Sequence, residues 1–183
     1  MRTALLLALM PLVAGAHELQ ENRATIVLRD QVHVSVTLYL NYCEALYQAL
    51  APQRPYAAFL VVYSGMKPDE LQKELLKAQA KFQAGTRLQL SAGGDEAPLT
   101  GWVWPDLKQV QDLLRRELMQ AMVDPASHTH EAPSEVRVEA RAPRKVGSVF
   151  VRFPVEFRKV LVVSYRPNQT WAEPKGPGVE VKF

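Results

Sequence analysis

The sequence predicts an α+β domain, with an antiparallel sheet made of an N-terminal hairpin and C-terminal strands and covered on one side by two main helices. Three observations carry that prediction. Two runs of period-two alternation lie near the N-terminus, two longer stretches repeat apolar residues at helical spacing in the middle, and short β-rich runs follow a polar linker near 124–133. The 183 residues are 48% hydrophobic and 22% charged, the balance of an ordinary globular chain, and the length suits one domain over 17–183. A formal charge of +3 is too small for a nucleic-acid polyelectrolyte, so nucleic acid is not an expected partner.

Residues 1–16 read as a secretory signal peptide. Arg2 supplies the positive start, Thr3–Val13 is a short apolar run, and Ala14-Gly15-Ala16 is a small-residue exit site. The run is shorter than the ~20 apolar residues that span a bilayer, and no later segment is long enough, so no membrane span is expected after its removal. The mature chain is therefore expected in the periplasm or outside the cell. Its single cysteine, Cys43, has no internal partner for a disulfide, so stability must come from packing, and Cys43 itself reads as a small buried apolar residue.

Ala24, Ile26 and Leu28 alternate with polar residues, and after Arg29-Asp30-Gln31 so do Val32, Val34, Val36, Leu38 and Leu40. That is a β-hairpin whose wetter face carries His33, Ser35, Thr37 and Tyr39. Asn41 to Ala51 reads as a short helix closed by Pro52, while the aromatic and aliphatic run Pro55–Tyr63 fits either helix or strand. Pro68-Asp69-Glu70 opens a clearer helix, with Leu71, Leu75, Ala78 and Phe82 as its core stripe and Gly85 as its stop. Thr86–Leu90 and Leu99–Trp104 read as strands, with Trp102 and Trp104 sharing a face. Pro105-Asp106 opens the second main helix, whose apolar side runs Leu107, Val110, Leu114, Leu118 and Met122; Met119 and Met122 are expected to fill core gaps. Strands at Val136–Val138, Ser148–Phe153 and Val160–Tyr165 complete the sheet. The closing Val179, Val181 and Phe183 alternate as the last strands of outer-membrane barrels do, but the two helices exclude that architecture.

One constellation suggests chemistry. Cleavage after Ala16 makes His17 the first mature residue, and its free amine and imidazole together can chelate a copper, zinc or nickel ion. His128 and His130, in the polar linker, are the candidate further ligands, with Glu18 and Glu131 as second-choice oxygen donors. Neutral imidazole is required, so affinity should fall as pH drops through ~6.5. No helical H-E-x-x-H, no G-x-S-x-G elbow and no Cys/His signature around Cys43 is present. Asp69/Glu70 and Asp95/Glu96 have structural reasons to exist at a helix start and in a turn. No enzymatic activity is expected.

The opening His17-Glu-Leu-Gln-Glu-Asn-Arg-Ala-Thr-Ile-Val-Leu resembles the His-Glu-Leu starts of exported bacterial proteins, including the extracytoplasmic part of hydrogenase/urease accessory-type nickel permeases. The segment Val160-Leu-Val-Val-Ser-Tyr-Arg-Pro resembles small uncharacterised periplasmic proteins. The resemblance implies a periplasmic domain near metal handling; transport is not implied, because the membrane helices of the permeases are missing from this sequence. The expected function is thus an exported binding or accessory protein with a metal or protein partner in the cell envelope. The alternative is a non-catalytic envelope adaptor that presents Tyr56-Ala-Ala-Phe59 to Tyr63 as an exposed apolar patch.

Overall fold

The computed structural model of the chain describes residues 22–90, 94, 96–123 and 132–167. The predicted hairpin is present: β1 (Asn22–Arg29) pairs antiparallel with β2 (His33–Leu40), with Ile26 opposite Val36. Asp30 and Gln31 turn the chain with φ of 40° and 63°, a left-handed conformation that Asp tolerates better than most residues. β5 (Ser134–Arg141) pairs with β2, and β4 (Leu99–Val103) lies beyond it. β7 (Val160–Tyr165) flanks β1, giving the order β4-β5-β2-β1-β7.

All these pairings are antiparallel except β1 with β7, which is parallel with Asn22 beside Val160. Asn22 accounts for that register. Its Nδ2 donates to the Phe157 carbonyl at 2.6 Å, and its Oδ1 accepts from the Asn41 amide at 2.7 Å. One side chain thereby ties the entry to β7 and the exit from β2 to the start of β1.

Four helices form, two more than the main pair. Asn41 caps α1 (Tyr42–Leu50) through Oδ1 and the Glu44 amide. α2 (Tyr56–Ser64) settles the ambiguous run: Phe59, Leu60 and Tyr63 turn inward at helical spacing. Its sequence hides this because valine and alanine occupy the outer face as well. In α3 (Pro68–Gly85) the four residues of the predicted stripe, Leu71, Leu75, Ala78 and Phe82, are each at most 1% exposed.

α4 (Leu107–Val123) starts with a reciprocal cap, in which the Gln109 amide donates to Asp106 Oδ1 at 2.7 Å and the Asp106 amide to Gln109 Oε1 at 2.9 Å. Its core side is Val110, Leu113 and Leu114. Met119 and Met122, expected in the core, are instead 62% and 71% exposed. In the last turns of α4 only Leu118 and Ala121 still pack against the core among the described residues, and Met119 and Met122 fall on the outer side.

A small second sheet pairs β3 (Arg87–Leu90) with β6 (Val149–Arg152), Leu88 opposite Val151. A 3-10 turn at Val155–Phe157 then leads into β7. Helices and small sheet bury the same face of the large sheet, where Ala24, Val34, Val36, Leu38, Val136 and Val138 are at most 1% exposed. The buried apolar residues form one cluster. Trp102 and Trp104 pack as expected, stacked with centroids 5.1 Å apart, and Trp104 also meets Phe82 at 6.0 Å. Cys43 is buried at 1% exposure.

Candidate functional site

The helices leave uncovered the end of the large sheet that carries the hairpin turn. The chain after β5 reaches back over that turn: the Ala142 amide donates to Val32 O and the Val146 amide to Gln31 O, both at 2.8 Å. Fixed there, residues 146–151 run opposite β7 and stand off from the sheet. A groove of about 400 Å³ lies between them, within the usual size of small-ligand sites.

Its walls follow from strand alternation. Ile26 and Leu28 of β1, Val34 of β2 and Val162 of β7 point into the groove from the sheet, and Val149 and Val151 face them from β6. The hairpin-turn end is polar, with Ser148, Ser164, Tyr165 and Arg166. The Arg166 guanidinium crosses the opening: Nη2 donates to Gly147 O at 3.0 Å and to Val146 O at 3.4 Å. Those two bonds use one nitrogen of a five-donor group.

β7 is also an edge strand with an apolar outer surface. Leu161 and Val163 are 45% and 40% exposed on the face opposite the groove, and Tyr165, at the groove's polar end, is 53% exposed. The run Val160-Leu-Val-Val163 has apolar residues on both faces, the pattern of a strand buried on two sides, yet it sits at the margin of the sheet. That mismatch was the sequence signal for this region. Arg166, following directly, carried no pattern of its own.

The outer face of the large sheet holds the one histidine within the described residues. His33 Nε2 lies 2.8 Å from Glu139 Oε2, and Ser35 Oγ donates to Glu139 Oε1 at 3.0 Å. The carboxylate stands between hydroxyl and imidazole, whereas an activated serine needs the imidazole between hydroxyl and acid. Ser35 is buried at 7% exposure despite its place on the wetter face, because Glu139 folds over it. Arg137 and Arg141 are exposed to solvent.

The candidate metal ligands His17, His128 and His130, with Glu18 and Glu131, lie outside the described residues. Among the described residues no group of three or more His, Cys, Asp or Glu side chains is placed to hold a metal ion. The apolar run of the adaptor alternative divides: Ala57, Ala58, Val61 and Val62 are exposed, while Phe59, Leu60 and Tyr63 belong to the core. The patch is thus the outer side of α2 only; Met119 and Met122 are exposed on α4, which packs against α2. Among the described residues no helix is long and apolar enough to cross a membrane. No protein-family profile, no curated protein and no solved structure matches the chain.

Proposed function

We propose that the chain is an exported, non-catalytic binding protein that receives an apolar ligand in the groove between β7 and residues 146–151. The leader pattern of residues 1–16 supports the compartment, periplasmic or secreted. The observation that carries the binding role is the groove itself: apolar walls, a single polar end and a ligand-sized volume. Metal handling by His17, His128 and His130 is a second task proposed for the same exported module, on the donor chemistry of an N-terminal histidine. The adaptor alternative draws its support from Val61, Val62, Met119 and Met122, which are 39–71% exposed on neighbouring helices.

Titration with a neutral, environment-sensitive dye such as N-phenylnaphthylamine tests the groove. Saturable one-site binding is expected, and Val149→Trp, which fills the groove from β6, should abolish it while circular dichroism stays unchanged. Ser164→Trp repeats the test from the opposite wall. Dye binding that is absent, or indifferent to both substitutions, overturns the reading and leaves the α2–α4 surface as the binding face.

A further inference from the structure

We infer that the ligand of the groove is a single-chain amphipathic carboxylate, with its chain along Val162, Ile26 and Val149 and its headgroup on the Arg166 guanidinium. The inference rests on the groove reading above and adds the chemical class of the occupant. Three features of the molecule lead to it.

The first is polarity ordered along the groove. Val162 stands beside Ala24, Ser164 beside Ile26, and Arg166 follows two residues later. At ~3.3 Å per residue the groove passes from wholly apolar to cationic over about 13 Å of strand. Val151 and Val149 opposite give way to Ser148 and Gly147 in the same direction. A ligand matching this gradient has an extended apolar part and one polar end.

The second is the state of Arg166. Among the described residues its hydrogen bonds go to two neutral carbonyls through Nη2, and no carboxylate there pairs with it. Those bonds hold the guanidinium against residues 146–147 and leave Nη1 and Nε, on separate edges of the group, each able to donate a single charge-assisted bond to a carboxylate. The Ser164 hydroxyl, on the groove face of β7, is a further donor at the same end.

The third is local charge. At the hairpin-turn end, the turn and the segment that crosses it carry Arg29, Arg141, Arg144 and Lys145 beside Arg166, against Asp30 in the turn itself. The surroundings of the mouth therefore favour an anion over a neutral or cationic headgroup.

Competition for the dye site with decanoate, decanol and decyltrimethylammonium tests this on the full chain. Decanoate should displace the dye at the lowest concentration and the cation at the highest. Arg166→Gln should weaken decanoate about tenfold or more, the scale of a charge-assisted pair, and leave decanol unchanged. Arg166→Lys, which keeps the charge but not the guanidinium's bonds to residues 146–147, should fall between. If decanol competes as well as decanoate, or Arg166→Gln weakens both alike, the carboxylate assignment is wrong while dye binding keeps the groove reading intact. If neither competitor nor dye binds, both fall together.

Discussion

Asn22 shows how much of the topology one side chain can hold. Its amide bonds the Phe157 carbonyl and the Asn41 amide at once, so the parallel pairing of β1 with β7 is set before the first residue of either alternates. Gly85 acts at the same scale. Expected as a helix stop, it is the last residue of α3, and the role that singles it out is close approach: a Cβ there would meet Pro154 Cβ at 2.6 Å. The termination falls to Thr86, whose hydroxyl and amide both donate to the Phe82 carbonyl. Gly85→Ala is expected to cost about 1–3 kcal/mol, the usual scale of overpacking, read as a lower urea midpoint. For His17 the expected outcome is one-to-one Cu(II) binding by the mature chain, weakened when one residue is added before it. Because imidazole must be neutral to ligate, calorimetric affinity should fall as pH drops below ~6.5. A titration indifferent to the added residue would remove the terminal amine from the ligand set.

Elements were legible where burial and periodicity agree. The α3 stripe holds because Leu71, Leu75, Ala78 and Phe82 face the core over the whole helix. A paired substitution checks this: Leu75→Ala should cost about 2–5 kcal/mol, whereas Leu76→Ala, at a position 54% exposed, should stay within about 0.5 kcal/mol. α4 shows the limit of the same reasoning. Its spacing continues through Leu118 and Met122, but of these only Leu118 still packs against the core, and Met119 and Met122 emerge into solvent. α2 was ambiguous for the reverse reason, since an outer face of Ala57, Ala58, Val61 and Val62 erases the contrast that periodicity needs. The groove was least legible. It is made by two strands distant in sequence that are held apart, and spacing along one chain does not report a gap between two. Only the unalternating Val160–Val163 run marked its place.

At the scale of the whole molecule, one sheet face carries the helices and the small sheet, and its buried aromatic residues link these layers. Tyr42 meets Phe82 at 6.4 Å and Phe82 meets Phe157 at 5.0 Å, joining α1, α3 and the 3-10 turn; Tyr47 meets Tyr56 at 5.2 Å, joining α1 to α2. Placing phenols at these junctions makes global stability sensitive to alkali. Burial raises the Tyr42 phenol well above its ordinary value; the same cause, followed by the electrostatic influence of Cys43 and Glu117, raises Tyr56. Below pH ~10 both phenols are neutral folded or unfolded, and the full stability is present. Above it the unfolded chain releases protons that the folded one retains, so stability must fall. Tyr42, 1% exposed, should contribute up to about 1.4 kcal/mol per pH unit, and Tyr56, closer to solvent, less. Urea unfolding followed from about pH 8 to 11 should show this decline, with tyrosinate absorbance from these two residues appearing only as the fold is lost. In Tyr42→Phe the slope should be shallower by the Tyr42 share, because the ring packing remains and the proton does not. A variant slope equal to that of the wild type would mean that Tyr42 ionises inside the folded protein, and the layer it joins would then be open to water.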